Sequence, residues 1–183
     1  MRIIGITGTI GAGKGTIVEY LTNHYHFRHY SVRAYLIEEI KRRGLGIDRD
    51  SMVLVANDLR ANHSPSFIVD QLFDQAKTNG QDAIIESIRT PGEIHSLREK
   101  GNFILLAVDA KPELRYQRII VRNSETDNIT FETFLENEKR EMETSDPNKQ
   151  NLSECIKQAD FVLRNDHNFQ FLFTQVDEII KSI

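Results

Sequence analysis

Only one cysteine, Cys155, occurs in the 183 residues. No internal disulfide framework can form from it, and no zinc site built from several thiolates. A lone thiol fits a reducing cytoplasm and is most simply a buried apolar residue of a helix. Long hydrophobic runs are missing too: nothing approaches the roughly 20 apolar residues that cross a bilayer. The opening "MRIIGITGTI" is briefly apolar and lacks a signal-peptide cleavage pattern, so it reads as a first strand. Positive charge is not in excess either. The 23 Lys and Arg against 27 Asp and Glu leave a formal charge of −4, which excludes a broad electrostatic footprint on nucleic acid, so any anion site must be local. Linkers rich in Pro, Gly or Ser, repeats and low-complexity tracts are absent. The expectation is one soluble, cytoplasmic domain over residues 1–183, with no nucleic-acid or membrane partner and the oligomeric state open.

What the chain has is alternation. Short β-type runs, "RIIGIT", "FRHYSV", "DAIIES", "FILLAVD" and "DFVLRN", are separated by amphipathic or charged segments. That order predicts an α/β fold with a mostly parallel five-stranded sheet and helices on both faces. "FILLAVD" (103–109) is continuously apolar, as a strand buried on both faces should be. Two segments lack a strand and read as excursions from the sheet, 44–80 and 122–149, each a candidate flap.

Glycine is concentrated at one place, "GTIGAGKGT", Gly8 to Thr16. Gly8 to Lys14 satisfies G-x-x-x-x-G-K, follows a predicted strand and opens a predicted helix, the context that supports a phosphate-binding loop. The backbone N–H groups of Gly11, Gly13, Lys14 and Gly15, with Ala12 in the same loop, can curl around phosphate oxygens at a positive helix N-terminus. Lys14 is expected to reach the β- and γ-phosphates of ATP. The hydroxyl usually found directly after the lysine is displaced by one position: Gly15 stands there and Thr16 follows, making Thr16 a candidate Mg²⁺ ligand or holder of a metal-bound water.

"GAGKGT" resembles the phosphate loop of adenylate kinases and other nucleoside monophosphate kinases. "ANDLR" (56–60), "IIESIRTPGEIHSLREKGNFILLAVDA" (84–110), the "RYQRIIVR" arginines and "CIKQADFVLRND" are similar to P-loop kinase-like domains related to dephospho-CoA kinases, which occur alone or fused to cytidylate deaminases. The H-x-E and P-C-x-x-C pattern of the deaminases is missing, so only the kinase-like half is present. The resemblance implies a three-layer P-loop NTPase fold, with 44–80 as an NMP-binding segment and 122–149 as a LID. It also implies that Arg118 and Arg122 begin the LID and clamp ATP phosphates or stack on adenine, and that Asn165 lies near adenine, where a turn-forming asparagine is the competing reading. Where relatives read S-x-S-D-x-L-R, this chain has "SVRAYLI", with Ala34 and Ile37 at the expected aspartate and arginine and Arg33 as a substitute.

Phosphoryl transfer asks chiefly for positioning and positive charge. Arg115, Arg118 and Arg122 share one helix face, where like charges repel unless an anion joins them. Arg89, after a buried strand at the ligand-binding edge, suits an acceptor phosphate. Arg60 fits either that role or a helix-surface salt bridge. Glu86 ends an apolar strand, where Mg²⁺ or a structural ion pair would compensate it. Asp109, just before Pro112, reads as an N-cap-region residue rather than a chemical one, and the histidines at 24, 26 and 29 read as separate residues rather than a metal site.

The leading expectation is an ATP- and Mg²⁺-dependent kinase acting on a small-molecule nucleotide, a nucleoside or deoxynucleoside monophosphate. In it Lys14, Arg89, Arg118 and Arg122 would carry the reaction, and Arg33, Arg60 and Arg89 would hold the acceptor. The alternatives are a dephospho-CoA kinase-like enzyme, against which the missing aspartate counts, and a nucleotide-sensing P-loop module without kinase activity.

Overall fold

The computed structural model describes residues 1–124 and 127–183. Five strands, β1 (Ile3–Gly8), β2 (Arg28–Ser31), β3 (Ala83–Glu86), β4 (Phe103–Asp109) and β5 (Phe161–Arg164), form one sheet in the order β2-β3-β1-β4-β5. Every pairing is parallel, with Ile3 opposite both Ala83 and Phe103 and Leu106 opposite Phe161. All five predicted runs are therefore strands, and the sheet is wholly parallel. Parallel neighbours need crossovers, which the helices supply: α1 (Lys14–Tyr25), α2 (Val32–Arg42), α3 (Arg49–Asn62), α4 (Phe67–Asn79), α5 (Pro91–Glu99), α6 (Pro112–Arg122), α7 (Phe131–Met142), α8 (Leu152–Lys157) and α9 (Phe169–Ser182).

Strand periodicity divides the core. Ile3, Ile85 and Leu105 point to one face and pack with α2, α3, α4, α5 and Cys155 of α8. Ile4, Ile6, Ile84, Leu106, Val108 and Leu163 point to the other and pack with α1 and α9. This is the three-layer arrangement. A third, small cluster of Ile10, Ile119 and Phe134 joins α6 to α7.

The two segments without strands behave differently from each other. Within 44–80, α3 buries Val55, Ala56 and Leu59 and α4 buries Ile68, Val69, Leu72, Phe73 and Ala76, all in the first core. α4 lies on β2 and β3, and α3 packs against α2 and α4. Within 122–149, α7 stands off the sheet and contributes Phe134 to the small cluster. Residues 125 and 126 of that expected LID lie outside the described residues. No helix among the described residues is long and apolar enough to cross a membrane.

Candidate active site

The strand β1 ends at Gly8 and α1 begins at Lys14, so the glycine-rich segment is the turn between the central strand and its crossover helix. Three glycines are required sterically: Gly8 has φ +140° and a Cβ there would strike the Val108 carbonyl. Gly11 has φ +75° and Gly13 φ +107°; a Cβ on Gly11 would strike the Arg115 carbonyl, and one on Gly13 the amide of Asn165. Asn165, 3 % exposed, donates from Nδ2 to the Ala12 carbonyl at 2.8 Å, and its own carbonyl accepts from Arg118 Nη2 at 2.8 Å. It therefore fastens the loop to the end of β5 rather than simply forming a turn. Asp109 does the same from β4: its Oδ1 accepts from Thr9 Oγ1 at 2.9 Å. It is not the cap of α6, whose N-cap is Lys111.

Lys14 Nζ donates to the carbonyls of Gly8 and Thr9, at 2.8 and 2.9 Å. Burial, with Arg89 nearby, pulls its pKa down to about 7. Two clefts open on either side of it. The first is lined by Gly11, Gly13, Gly15, Thr16, Arg118, Arg122, Asn165 and Phe169. The second has an apolar wall of Val32, Leu36, Met52, Val53 and Ala56 beneath Arg33, Arg49, Arg60 and Arg89. Gly11, Lys14, Glu86 and Arg122 line both. Six basic side chains against two acidic ones face the second cleft in a chain of net charge −4, a local concentration of positive charge in an acidic molecule.

The predicted residues distribute as follows. Gly15 and Thr16 face the first cleft; a Cβ on Gly15 would meet nothing within 4 Å. Arg118 reaches it with Nη1 buried and unpartnered among the described residues. Arg122 holds Asp127 through two bonds of 2.7 Å. Arg115 parts from the other two: it is buried, bound to Glu138 and donating to the Ala110 and Ile10 carbonyls. The three arginines thus do not converge on one anion, because α7 supplies a carboxylate to the first of them. Arg33 stands in the first turn of α2, whose N-cap is Ser31, and lines the second cleft. Arg60 is no surface residue: it is 2 % exposed and donates to Glu93 at 2.8 Å, with Nη1 unpartnered among the described residues.

Glu86 meets His29 Nε2 at 3.1 Å. Burial alone would raise its pKa, but the His29 hydrogen bond and the charges of Lys14 and Arg89 outweigh it and hold the carboxyl below its ordinary value. Glu86 and Thr16 line the same cleft and offer hard oxygen donors, a set that fits Mg²⁺. His24 lies against Tyr20 and His26 is the left-handed C-cap of α1, so the three histidines face different surroundings. Cys155 is buried in the core and burial pushes its thiol pKa up, so it stays protonated.

Two residues that sequence reasoning missed complete the second cleft. Arg49, at the start of α3, and Arg89 both bind Glu141 at the end of α7. Arg49 and Glu141 lie 92 positions apart, and neither belongs to a motif.

The family model described as "AAA domain" matches residues 4–146. A UPF0200 protein of Methanocaldococcus jannaschii is 30% identical over 186 residues, covering 100% of this chain and 91% of its own. Another from Methanococcus vannielii is 27% identical, with 100% and 97% covered. Among solved structures, TT1252 from Thermus thermophilus aligns over 100% of this chain and 97% of its own, with TM-score 0.62 and 20% identity. Shikimate kinase from Bacteroides thetaiotaomicron aligns over 98% and 97%, with TM-score 0.61 and 11% identity; at these identities the likeness is one of fold. With the phosphate loop between β1 and α1, the parallel sheet and matches along nearly its whole length, the chain belongs to the AAA-domain family of P-loop proteins and to the UPF0200 proteins.

Proposed function

We propose that this protein is an ATP-dependent kinase that transfers the γ-phosphoryl group to the phosphate of a nucleoside or deoxynucleoside monophosphate. The observation that carries the reading is the meeting of the two clefts at Lys14 and Gly11. One is floored by the phosphate loop and suits the donor. The other combines an apolar wall for a planar base with a surplus of guanidinium groups for a phosphate. Arg118, Asn165 and Phe169 then stand at the adenine side of the donor. Mg²⁺, held by Thr16 and Glu86 directly or through water, supplies charge neutralisation on the β- and γ-phosphates when bound.

In the reaction an acceptor phosphate oxygen bonds to the γ-phosphorus while the bond to the β,γ-bridging oxygen breaks, and ADP leaves. Lys14 exchanges its two loop carbonyls for the migrating phosphoryl oxygens, and Arg89 and Arg122 balance the charge on either side. An ionised phosphate needs no general base. That suits this cleft, because both acidic residues lining it are already engaged, Glu86 by His29 and Glu141 by two arginines. A hydroxyl acceptor would need a carboxylate free to take its proton.

The test is ATP consumption with Mg²⁺ across all ribo- and deoxynucleoside monophosphates and dephospho-CoA, beside Lys14→Ala. Conversion of one monophosphate to its diphosphate, lost in the variant, is the expected result. Phosphorylation of dephospho-CoA alone would assign a hydroxyl acceptor. ATP binding with no acceptor used would make the protein a nucleotide sensor.

A further inference from the structure

Arg49, Glu141 and Arg89 all line the second cleft. Arg49 is at the first turn of α3, Arg89 follows β3, and Glu141 is in the last turn of α7. One carboxylate oxygen, Oε1, accepts from Arg49 Nη2, and the other, Oε2, from Arg89 Nη1. The group is 4 % exposed. Two oxygens do not saturate the clamp: Arg49 Nε is buried without a partner among the described residues, and Arg89 turns additionally to Gln150 Oε1 at 3.0 Å. Arg49 therefore presents a fork, Nε and Nη2, of which Glu141 uses one tine. A third acceptor oxygen on the same anion would use both.

We propose that Glu141 is a built-in occupant of an anion clamp formed by Arg49 and Arg89, which a phosphomonoester dianion displaces and a monoanion does not. This deepens the kinase reading and rests on its identification of the second cleft as the acceptor site. Exchanging one carboxylate for another monoanion gains no Coulomb energy, whereas a dianion with three terminal oxygens gains a second charge and the idle Nε donor. Glu141 is in this way a specificity-determining residue, selecting against carboxylates and phosphodiesters. Its departure need not unseat α7. Glu138 stays on Arg115, and Phe134 stays in its cluster with Ile10 and Ile119. The turn carrying Glu141 and the following segment to Gln150 are what move.

The experiment is binding of inorganic phosphate and of dimethyl phosphate at pH 8 and constant ionic strength, with a non-hydrolysable ATP analogue saturating the phosphate loop. The proteins are wild type, Glu141→Gln, Arg49→Ala and the double variant. Glu141→Gln is expected to bind phosphate about tenfold more tightly, from loss of the competing charge, and to discriminate less against dimethyl phosphate. Adding Arg49→Ala should abolish the gain. Hydrogen exchange on the wild-type protein gives an independent reading: phosphate should accelerate exchange of amides 141–150. Unchanged or weaker phosphate binding in a folded Glu141→Gln, a gain that survives Arg49→Ala, or slowed exchange at 141–150 each overturns the proposal. None of these readouts requires phosphoryl transfer, so a silent kinase assay with a positive binding result would remove the kinase reading and leave the clamp standing.

Discussion

Lys14 carries the sharpest residue-scale consequence. Its folded pKa of about 7 lies below the ordinary 10.5, so between these values the unfolded chain holds more protons than the folded one. Stability therefore rises with pH across that window, by at most about 1.4 kcal/mol per pH unit from this group. Urea unfolding of wild type and Lys14→Met at pH 7, 8 and 9 isolates the contribution: the stability of wild type relative to the variant should climb with pH. Phosphate arriving at the loop favours the ammonium form, so nucleotide binding at pH 8 should take up close to one proton, measurable by calorimetry in buffers of different ionisation enthalpy and absent in Lys14→Met. Gly13 tests the loop itself. Gly13→Ala forces a Cβ into Asn165 at φ +107°, a cost of about 1–3 kcal/mol, and nucleotide affinity should fall with it. Asn165→Ala in the same chain relieves the clash but not the backbone strain, so a double-mutant cycle should show positive coupling.

At the scale of elements, the buried pair Arg60–Glu93 links α3 to α5, with side chains 1 % and 0 % exposed. Glu93 has other partners: its carboxylate accepts from the backbone N–H of Arg89 and Thr90, completing a capping box. The two partners are therefore unequal. Glu93→Ala strands a buried guanidinium and breaks the cap, with an expected loss of about 3–5 kcal/mol. Arg60→Met leaves a carboxylate that keeps two donors and should cost clearly less. Chemical denaturation of the two variants checks the order. Because the same carboxylate anchors the Arg89 backbone, Glu93→Ala should also weaken phosphate binding in the second cleft. The helical pattern of "ANDLR" was readable, but Arg60's side was not: a surface partner was as plausible, because its partner comes from a helix 33 positions away.

Across the whole molecule, stability is distributed unevenly. The two large cores hold β1, β3 and β4 between layers of helices, whereas α7 is held by the small cluster of Ile10, Ile119 and Phe134 and by ion pairs to Arg115, Arg49, Asp50 and Arg89. Native-state hydrogen exchange should therefore show α7 opening at a lower free energy than β1 and β4. Phe134→Ala should accelerate exchange in α7 far more than in β1 and β4, read in the same experiment.

The strands and the phosphate loop are local properties. Apolar runs bounded by polar residues, and glycines where a turn must bring bare N–H groups together, are written in consecutive residues, so "FILLAVD" and "GTIGAGKGT" were interpretable without coordinates. So was Arg89, because position after a buried strand determines which sheet edge it reaches. The partners of charged side chains are not local. Which arginine meets an internal carboxylate depends on which helix folds over it: α7 takes Arg115 out of the cleft through Glu138 and brings Glu141 to Arg49 and Arg89. That α4 packs into the first core was not readable for the same reason, since a helix's apolar face does not say which surface it covers. Sequence alone determined the α/β alternation and the phosphate loop, because both rest on backbone geometry over a few residues; tertiary structure alone decided the second cleft and its Arg49–Glu141–Arg89 cluster, because Coulomb pairing there joins residues up to 92 positions apart.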